Sequence, residues 1–300
     1  MLKIRKYAAI DIGSNAIRLL IFTVTEPENK PVTFKKTSLV RVPIRLGQDV
    51  FVNQYISDNN ISRMKDAMKA FQLLMDCHNI ERYRACATSA MRDAKNSRAL
   101  IESIKKETSI NIEVIDGNDE AAIIAATDLH ELIQSDKNYV YVDVGGGSTE
   151  ITIYSNGKTL HSKSFKIGTV RLLNNLVVEE DWQEMINWLK ASTKGLQKIE
   201  MIGSGGNINH IFKASGKKQG NPLSFLYLSS YYQLLQSLTY EERISQLQMN
   251  VDRADVIIPA TEIYLTAMKH SRARNVHVPK IGLSDGIIKS LYNEDVSIAS

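Results

Sequence analysis

The stretch Asp143-Val144-Gly145-Gly146-Gly147-Ser148-Thr149-Glu150 places three consecutive glycines between two acids. The apolar run from Tyr139 to Val144 precedes it, and Glu150 to Tyr154 follows it, so the pattern predicts two strands joined by a glycine turn. Because glycine has no Cβ, the backbone N–H groups of this turn can approach a bound anion closely. Taken alone, the stretch fits an ordinary glycine-rich hairpin as well as it fits a phosphate site.

The acids that flank the turn are candidate metal ligands. Asp143 ends one predicted strand and Glu150 lies on the return strand, so both side chains can face one cavity. Acids beside a phosphate site normally reach it through a divalent cation, and Mg²⁺ prefers one or two carboxylates together with substrate oxygens and water. If the turn binds no phosphate, both acids are simply solvated.

A weak second copy of this unit lies near the N-terminus. Tyr7 to Gly13 aligns with Tyr139 to Gly145, and the alignment places Asp11 over Asp143. Two copies of strand, aspartate, glycine turn and strand predict two similar lobes with a cleft between them. We place the boundary near Ala125, which gives an N-terminal domain of residues 1–125 and a C-terminal domain of residues 126–300.

The first turn offers its own donors to a phosphate. Ser14 and Asn15 carry polar side chains in the turn, and Arg18 on the following strand can point back toward it. An ordinary turn explains these residues when the copy is considered alone, whereas the pair of copies favours a two-sided phosphate clamp.

Two more residues can take part in phosphate chemistry. Arg92 follows a strand predicted from Tyr83 to Ala87, and its guanidinium can bind phosphate oxygens in a bidentate manner. Glu120 lies near the start of a helix predicted from Asn118 to Leu132, where a carboxylate can orient or deprotonate water. The alternatives are a surface salt bridge for Arg92 and compensation of the helix dipole for Glu120.

Composition excludes several other classes of protein. The 300 residues carry a formal charge of +4, which does not by itself indicate nucleic-acid binding. No apolar run approaches the ~20 residues that span a bilayer, and no signal peptide is evident. The two cysteines, Cys77 and Cys86, have no metal or redox spacing, so we expect reduced thiols in a cytoplasmic protein without membrane or nucleic-acid partners. The P-loop, Rossmann and serine-hydrolase motifs are also missing.

Seven motifs occur in a specific order along nearly the whole chain: Ala9–Asn15, Ala87–Asn96, Ile115–Ala121, Asp143–Glu150, Phe165–Leu172, Gly203–Gly206 and Asp252–Ile257. Together they resemble the exopolyphosphatase/guanosine pentaphosphate phosphatase family. The resemblance implies an α/β fold of two actin-like, ribonuclease H-like domains of the actin, sugar kinase and Hsp70 superfamily, with an interdomain cleft.

The resemblance also implies a reaction and its residues. It implies Mg²⁺-dependent removal of the terminal phosphate of inorganic polyphosphate, or of the 5′ γ-phosphate of guanosine pentaphosphate, by a homodimer. Glu120 and Arg92 match catalytic positions, and Asp143, Glu150 and Asp11 are the expected metal ligands. The expected phosphate contacts are Ser14, Asn15, Arg18, Gly145, Gly146, Gly147, Ser148 and Gly205. A nucleotide-binding module without turnover and a sugar or acetate kinase remain as alternatives.

Three departures from the family pattern stand out. Asp119 replaces the first of two glutamates that precede Ala121. Gly282-Leu283-Ser284-Asp285-Gly286 replaces Gly-Leu-Arg-Glu-Gly, which removes an arginine from any anion contact there. Long members carry further C-terminal helical domains, so we expect these 300 residues to prefer short polyphosphate chains.

Overall fold

The chain forms two compact units in the computed structural model, which describes residues 2–125, 127, 133 and 136–299. The first unit comprises Met1–Thr127 and Leu283–Ser300, and the second comprises Asp128–Gly282. Residues 283–300, which the sequence analysis assigns to the C-terminal domain, therefore belong to the first unit. Position 126, where that domain is predicted to begin, lies outside the described residues.

The first unit contains a five-stranded sheet of order β3-β2-β1-β4-β5. Strand β1 pairs antiparallel with β2 and parallel with β4, which pairs parallel with β5. Its elements are β1 (Lys3–Ile12), β2 (Ile17–Glu26), β3 (Thr33–Val42), α1 (Leu46–Asn53), α2 (Asp58–Cys77), β4 (Arg82–Ala87), α3 (Ser89–Asp93), α4 (Ser97–Thr108), β5 (Ile112–Val114) and α5 (Gly117–Ala125).

The second unit contains a six-stranded sheet of order β10-β11-β9-β6-β7-β8. Its elements are β6 (Asn138–Val144), β7 (Thr149–Ser155), β8 (Lys158–Phe165), α6 (Thr169–Leu173), α7 (Glu179–Ser192), β9 (Ile199–Ser204), α8 (Gly206–Ala214), β10 (Leu223–Ser224), α9 (Phe225–Ser237), α10 (Tyr240–Ser245), α11 (Val251–Ala254), α12 (Ile257–Ser271) and β11 (Asn275–His277). The last helix, α13 (Leu283–Ala299), returns to the first unit.

The two sheets repeat one topology. In each, a central strand pairs antiparallel with the next strand and parallel with a later one, so β3-β2-β1-β4-β5 corresponds to β8-β7-β6-β9-β11. The central strands β1 and β6 are buried along most of their length, as expected where both faces of a sheet are covered. The prediction of an α/β fold with two similar halves is confirmed.

Helix boundaries follow from their caps. Apolar residues recur at helical spacing from Ile61 to Leu74 and predict a helix over Ser57–Asn79. In the structure, α2 begins at Asp58 because the Ser57 side chain accepts from Asn60 N–H. Helix α5 begins at Gly117, one residue earlier than predicted, because Asp116 Oδ1 accepts from the N–H groups of Asn118 and Asp119 at 2.8 and 2.9 Å. Most of the predicted continuation of α5 to Leu132 lies outside the described residues. No described helix is both long and apolar enough to cross a membrane.

Candidate functional site

Candidate residues of the first unit gather at one edge of its sheet. Strands β1, β4 and β5 are parallel, so their carboxyl ends and the loops that follow them share that edge, the usual location of ligand sites in open α/β sheets. Ser14 follows β1 and Ser89 follows β4, and their buried hydroxyl oxygens lie 2.9 Å apart. The Asn15 carbonyl accepts from Arg45 N–H at 3.0 Å, which holds the first turn against the start of α1.

Asp11 and Arg18 are opposite each other in the β1–β2 hairpin. Arg18 Nη1 donates to Asp11 Oδ2 at 3.1 Å, so the predicted metal ligand and the predicted phosphate contact form an ion pair. Burial raises the pKa of the Asp11 carboxyl, and Arg18 opposes this rise. A cation at Asp11 would therefore compete with Arg18 for the carboxylate.

Arg92 and Glu120 come from neighbouring segments at the same edge. Arg92 Nη1 donates to the carbonyl of Ile115 at 2.8 Å, directly before the Asp116 cap of α5. Glu120 lies in the first turn of α5, where its N–H donates to the Asp116 carbonyl at 3.0 Å. The guanidinium of Arg92 thus contacts the segment that leads into the helix of Glu120.

Cys86 lies in β4, beside Asp11 in the register of β1. Burial raises the pKa of its thiol to about 12, and the carboxylates of Glu113, Asp11 and Glu120 add to the rise. The thiol therefore stays protonated at neutral pH and is no nucleophile.

In the second unit, a row of four polar side chains crosses the sheet. The strand registers pair Ser204 with Asp143, Asp143 with Glu150, and Glu150 with Ser164. Side chains directly opposite one another share a face of a sheet, so both acids point to the same side. Ser164 Oγ donates to Glu150 Oε1 at 2.8 Å, and Ser204 Oγ lies 3.2 Å from Asp143 Oδ2.

Two buried tyrosines border Asp143. Tyr141 precedes it on the same face of β6, and the Tyr264 hydroxyl donates to the Ser204 carbonyl. Burial raises the pKa of both phenols well above the usual range, and the charge of Asp143 adds to the rise. Asp143 therefore borders phenols that stay neutral.

The glycine turn closes the β6–β7 hairpin and is fixed from one side. Gly145 N–H donates to the Ser148 carbonyl at 2.9 Å, which closes the turn. The carbonyls of Gly145 and Gly146 accept from the N–H groups of Thr169 and Val170 at 3.0 and 2.8 Å. The start of α6 therefore holds the carbonyl side of the turn.

Arg171 and Gly168 complete this attachment. Arg171 Nε donates to the Gly147 carbonyl at 2.8 Å, and a Cβ added at Gly168 would lie 2.4 Å from the Gly146 oxygen. Within the described residues, no backbone carbonyl accepts from the N–H groups of Gly146 or Gly147. These two donors suit an anion-binding nest.

Gly205 follows β9 at the same edge of the second sheet. Its φ of 112° lies in the left-handed region, and an added Cβ would lie 3.1 Å from the Val144 carbonyl and 3.4 Å from Asp143 Oδ1. Glycine is thus required here both by conformation and by the close approach of the end of β6.

Sequence reasoning found the acids and glycines but missed the groups that hold them. The proximity of Ser164 to Glu150 and of Ser204 to Asp143 can be recognised only once the strand register is known. The changed motif near the C-terminus also has a structural place: Ser284 is buried, and Asp285 forms an ion pair with Lys36 at 2.8 Å.

Comparison with known proteins identifies curated relatives whose names include phosphatase or exopolyphosphatase. Over 208 residues the chain is 35% identical to the bifunctional 3-dehydroquinate synthase/phosphatase of Fusobacterium nucleatum, covering 65% of this chain and 31% of that protein. Over 172 residues it is 34% identical to exopolyphosphatase 2 of Mycobacterium tuberculosis, covering 56% of this chain and 53% of that protein. The chain thus spans about a third to a half of the length of these curated relatives.

Solved structures and a family model extend the likeness over the chain. The crystal structure of an exopolyphosphatase from Cytophaga hutchinsonii matches with a TM-score of 0.83 and 25% identity, covering 97% of this chain and 98% of that one. Residues 28–294 match the model of the Ppx/GppA phosphatase family. Since that match covers most of the 300 residues, the chain belongs to the Ppx/GppA phosphatase family.

Proposed function

We propose that this chain hydrolyses the terminal phosphoanhydride bond of inorganic polyphosphate and releases orthophosphate. The observation that carries the proposal is the carboxyl edge of the second sheet. There, the paired acids Asp143 and Glu150 adjoin a glycine turn that presents the N–H groups of Gly146 and Gly147. Acids and anion donors at one edge suit a metal-bound phosphate.

Different residues of the chain would have different roles in this hydrolysis. Glu120 would accept a proton from the attacking water, and Arg92 would bind oxygens of the transferring phosphate. Ser14, Asn15 and Arg18 in the first unit, and the turn from Gly145 to Ser148 with Gly205 in the second, would hold phosphate groups. Such positioning and charge stabilisation supply most of the catalysis in phosphoryl transfer.

The donor set of the second unit fits Mg²⁺. Asp143 and Glu150 provide two carboxylates on one face, and Ser204 and Ser164 restrict their orientation. Asp11, in the first unit, would bind a cation only by giving up its ion pair with Arg18. Mg²⁺ keeps water and substrate oxygens among its ligands, so two carboxylates from the chain would be enough to hold it. When bound, it neutralises charge on the phosphate oxygens.

Asp143→Asn tests the metal assignment. It preserves the size of the side chain but removes the charge, so we expect orthophosphate release at 1 mM Mg²⁺ to fall at least ~100-fold. The metal concentration for half-maximal activity should rise. Asp136→Asn, an exposed position in the second unit, should behave as wild type. Normal metal dependence in Asp143→Asn would contradict the assignment.

The substrate is tested by competition. Polyphosphate and guanosine pentaphosphate would be offered together to the purified chain while release of orthophosphate and of the 5′ γ-phosphate is measured separately. Preferred release from polyphosphate supports the proposal, and preferred release from the nucleotide supports the alternative. Binding of either without release would instead indicate a non-hydrolytic module.

A homodimer is also part of the proposal, and it rests on the family resemblance alone. Sedimentation velocity at micromolar concentrations would measure it, and a monomer throughout that range would contradict it.

A further inference from the structure

A basic cavity of about 300 Å³ lies between the C-terminal ends of α7 and α12. Its lining includes five side chains that are cationic or can become so: Lys190, Lys194, Lys269, His270 and Arg272. In the part of the chain that the structure describes, no carboxylate lines this cavity. A concave surface lined by one sign of charge concentrates ions of the opposite sign.

The cavity lies at the opposite edge of the sheet from the glycine turn. Helix α7 leads into β9 and helix α12 leads into β11, so both helices end beside the amino ends of these parallel strands. Ile199 and Ser204 at the two ends of β9 are five residue steps of ~3.3 Å apart, so roughly 17 Å separates this edge from Ser204. The cavity is therefore separate from the candidate active site.

Compensation of helix dipoles accounts for only part of the positive charge. Two helix C-termini carry about −0.5 of an elementary charge each. Arg272 already compensates the negative C-terminal end of α7, because its Nη2 donates to the carbonyls of Thr193 and Leu196 at 2.7 and 3.2 Å. Three lysines remain around the same cavity.

Positive charges from both helices act on His270. Burial lowers the pKa of His270, and the charges of Lys190 and Lys269 lower it further. Lys194 and Arg272 are the other charged groups at the cavity. An anion bound among these groups would relieve their repulsion and raise the pKa of His270.

We propose that the second unit binds phosphate-type oxyanions in this cavity, as a second anion site at the amino edge of its sheet. The ligand is either free orthophosphate or phosphoryl groups within a polyphosphate chain, which present the same oxygens to ammonium donors. The inference does not rest on the proposed hydrolysis, because none of the residues assigned to that reaction lines the cavity.

Histidine NMR on the full chain tests the proposal. Orthophosphate, or polyphosphate of about 15 phosphates, would replace chloride at constant ionic strength, with Glu120→Gln used for the polyphosphate arm to prevent turnover. We expect a saturable shift of the His270 ring signals and a higher His270 pKa, while His161 on the exposed strand β8 should not respond. A response to orthophosphate identifies the free ion as a ligand, and a response to polyphosphate alone identifies the chain.

Charge-matched variants separate a site from general screening. The double change Lys190→Gln and Lys269→Gln should weaken anion binding at least 5-fold, measured as the dissociation constant from the His270 titration. Lys158→Gln with Lys213→Gln removes the same charge from exposed positions elsewhere in this unit and should leave the constant unchanged. An unsaturable response, equal weakening by both double variants, or no response to either anion would overturn the proposal, whether or not the chain hydrolyses polyphosphate.

Discussion

Asp143 and Glu150 are seven positions apart in sequence, and the antiparallel register of β6 and β7 makes them direct neighbours. Two adjacent carboxylates repel each other, so this arrangement needs compensation. Ser164 supplies one hydrogen-bond donor to Glu150. Ser204 lies within reach of both Asp143 and the Ile281 carbonyl, but its single proton can serve only one of them. A bound cation would reduce this repulsion further.

Glu120→Gln is the residue-scale test of catalysis. The amide keeps the shape of the side chain but cannot accept the proton of the attacking water, so kcat should fall ~10²–10⁴-fold while KM changes little. Steady-state orthophosphate release on polyphosphate measures both constants. Glu102→Gln, an exposed change on α4, should retain wild-type values. Near-normal kcat in Glu120→Gln would remove Glu120 from the proposed reaction.

At the scale of elements, the glycine turn works together with α6. All three of its glycine carbonyls accept from Thr169, Val170 or Arg171. The five-residue helix α6 thus fixes the orientation of the turn. Because the carbonyl and N–H of a trans peptide point in opposite directions, the N–H groups of Gly146 and Gly147 point away from α6. Gly168 allows this approach because any side chain there would meet the backbone of the turn.

Gly168→Ala tests this coupling. The φ of Gly168 is −142°, which alanine adopts freely, so the change acts through steric conflict rather than backbone strain. A Cβ 2.4 Å from the Gly146 oxygen must displace the turn, and we expect at least ~10-fold lower activity with a stability loss of ~1–3 kcal/mol. Activity assays and urea unfolding measure the two effects.

The control for this prediction is Gly282→Ala, whose Cβ would meet Ser204 Oγ at an ordinary 3.7 Å. Its activity should stay within ~2-fold of wild type, since volume changes matter where packing is already tight. Full activity in Gly168→Ala would show that the position of the turn does not depend on close contact with α6.

Sequence patterns predicted elements whose signals are local and missed those that depend on distant contacts. The periodic apolar residues of α2 and the repeated Asp-Gly hairpins were recognisable without a structure. The sequence pattern of residues 227–291 predicts mostly helix, yet the three-residue strand β11 lies within that range. It forms because it pairs with β9 about 75 positions earlier. The sequence does not predict helix α1 either. This helix starts from Arg45 in the left-handed conformation, and no sequence pattern indicates that conformation.

At the scale of the whole molecule, dependence on distant contacts also explains why the sequence assigns α13 to the C-terminal domain. Its sequence suggested continuation of the C-terminal domain, whereas its contacts lie in the first unit. Gly286 lies so close to α5 that an added Cβ would be 2.1 Å from the Ile123 carbonyl oxygen. Further along α13, Asp295 Oδ2 accepts from the Tyr7 hydroxyl at 2.7 Å and from Arg5 Nη1 at 2.9 Å. These partners are almost 300 residues apart in sequence, so no local pattern reveals them.

The attachment of α13 should make stability depend on pH through Asp295. Burial works to raise the pKa of this carboxyl, but the hydrogen bonds from Tyr7 and Arg82 and the charges of Arg82 and Arg5 outweigh it, so the pKa is lowered. The ionised form therefore stabilises the fold above the unfolded-state pKa of ~3.9, and this contribution is lost as pH falls below it.

Asp295→Asn should cost ~1–3 kcal/mol in urea unfolding at pH 7, and its difference from wild type should shrink progressively below about pH 4. Glu294→Gln, which breaks a half-exposed ion pair with the same Arg82, should cost less than ~1 kcal/mol. A deficit in Asp295→Asn that stayed constant down to pH 2 would mean that packing, rather than the charge of Asp295, holds α13 to β1 and β4.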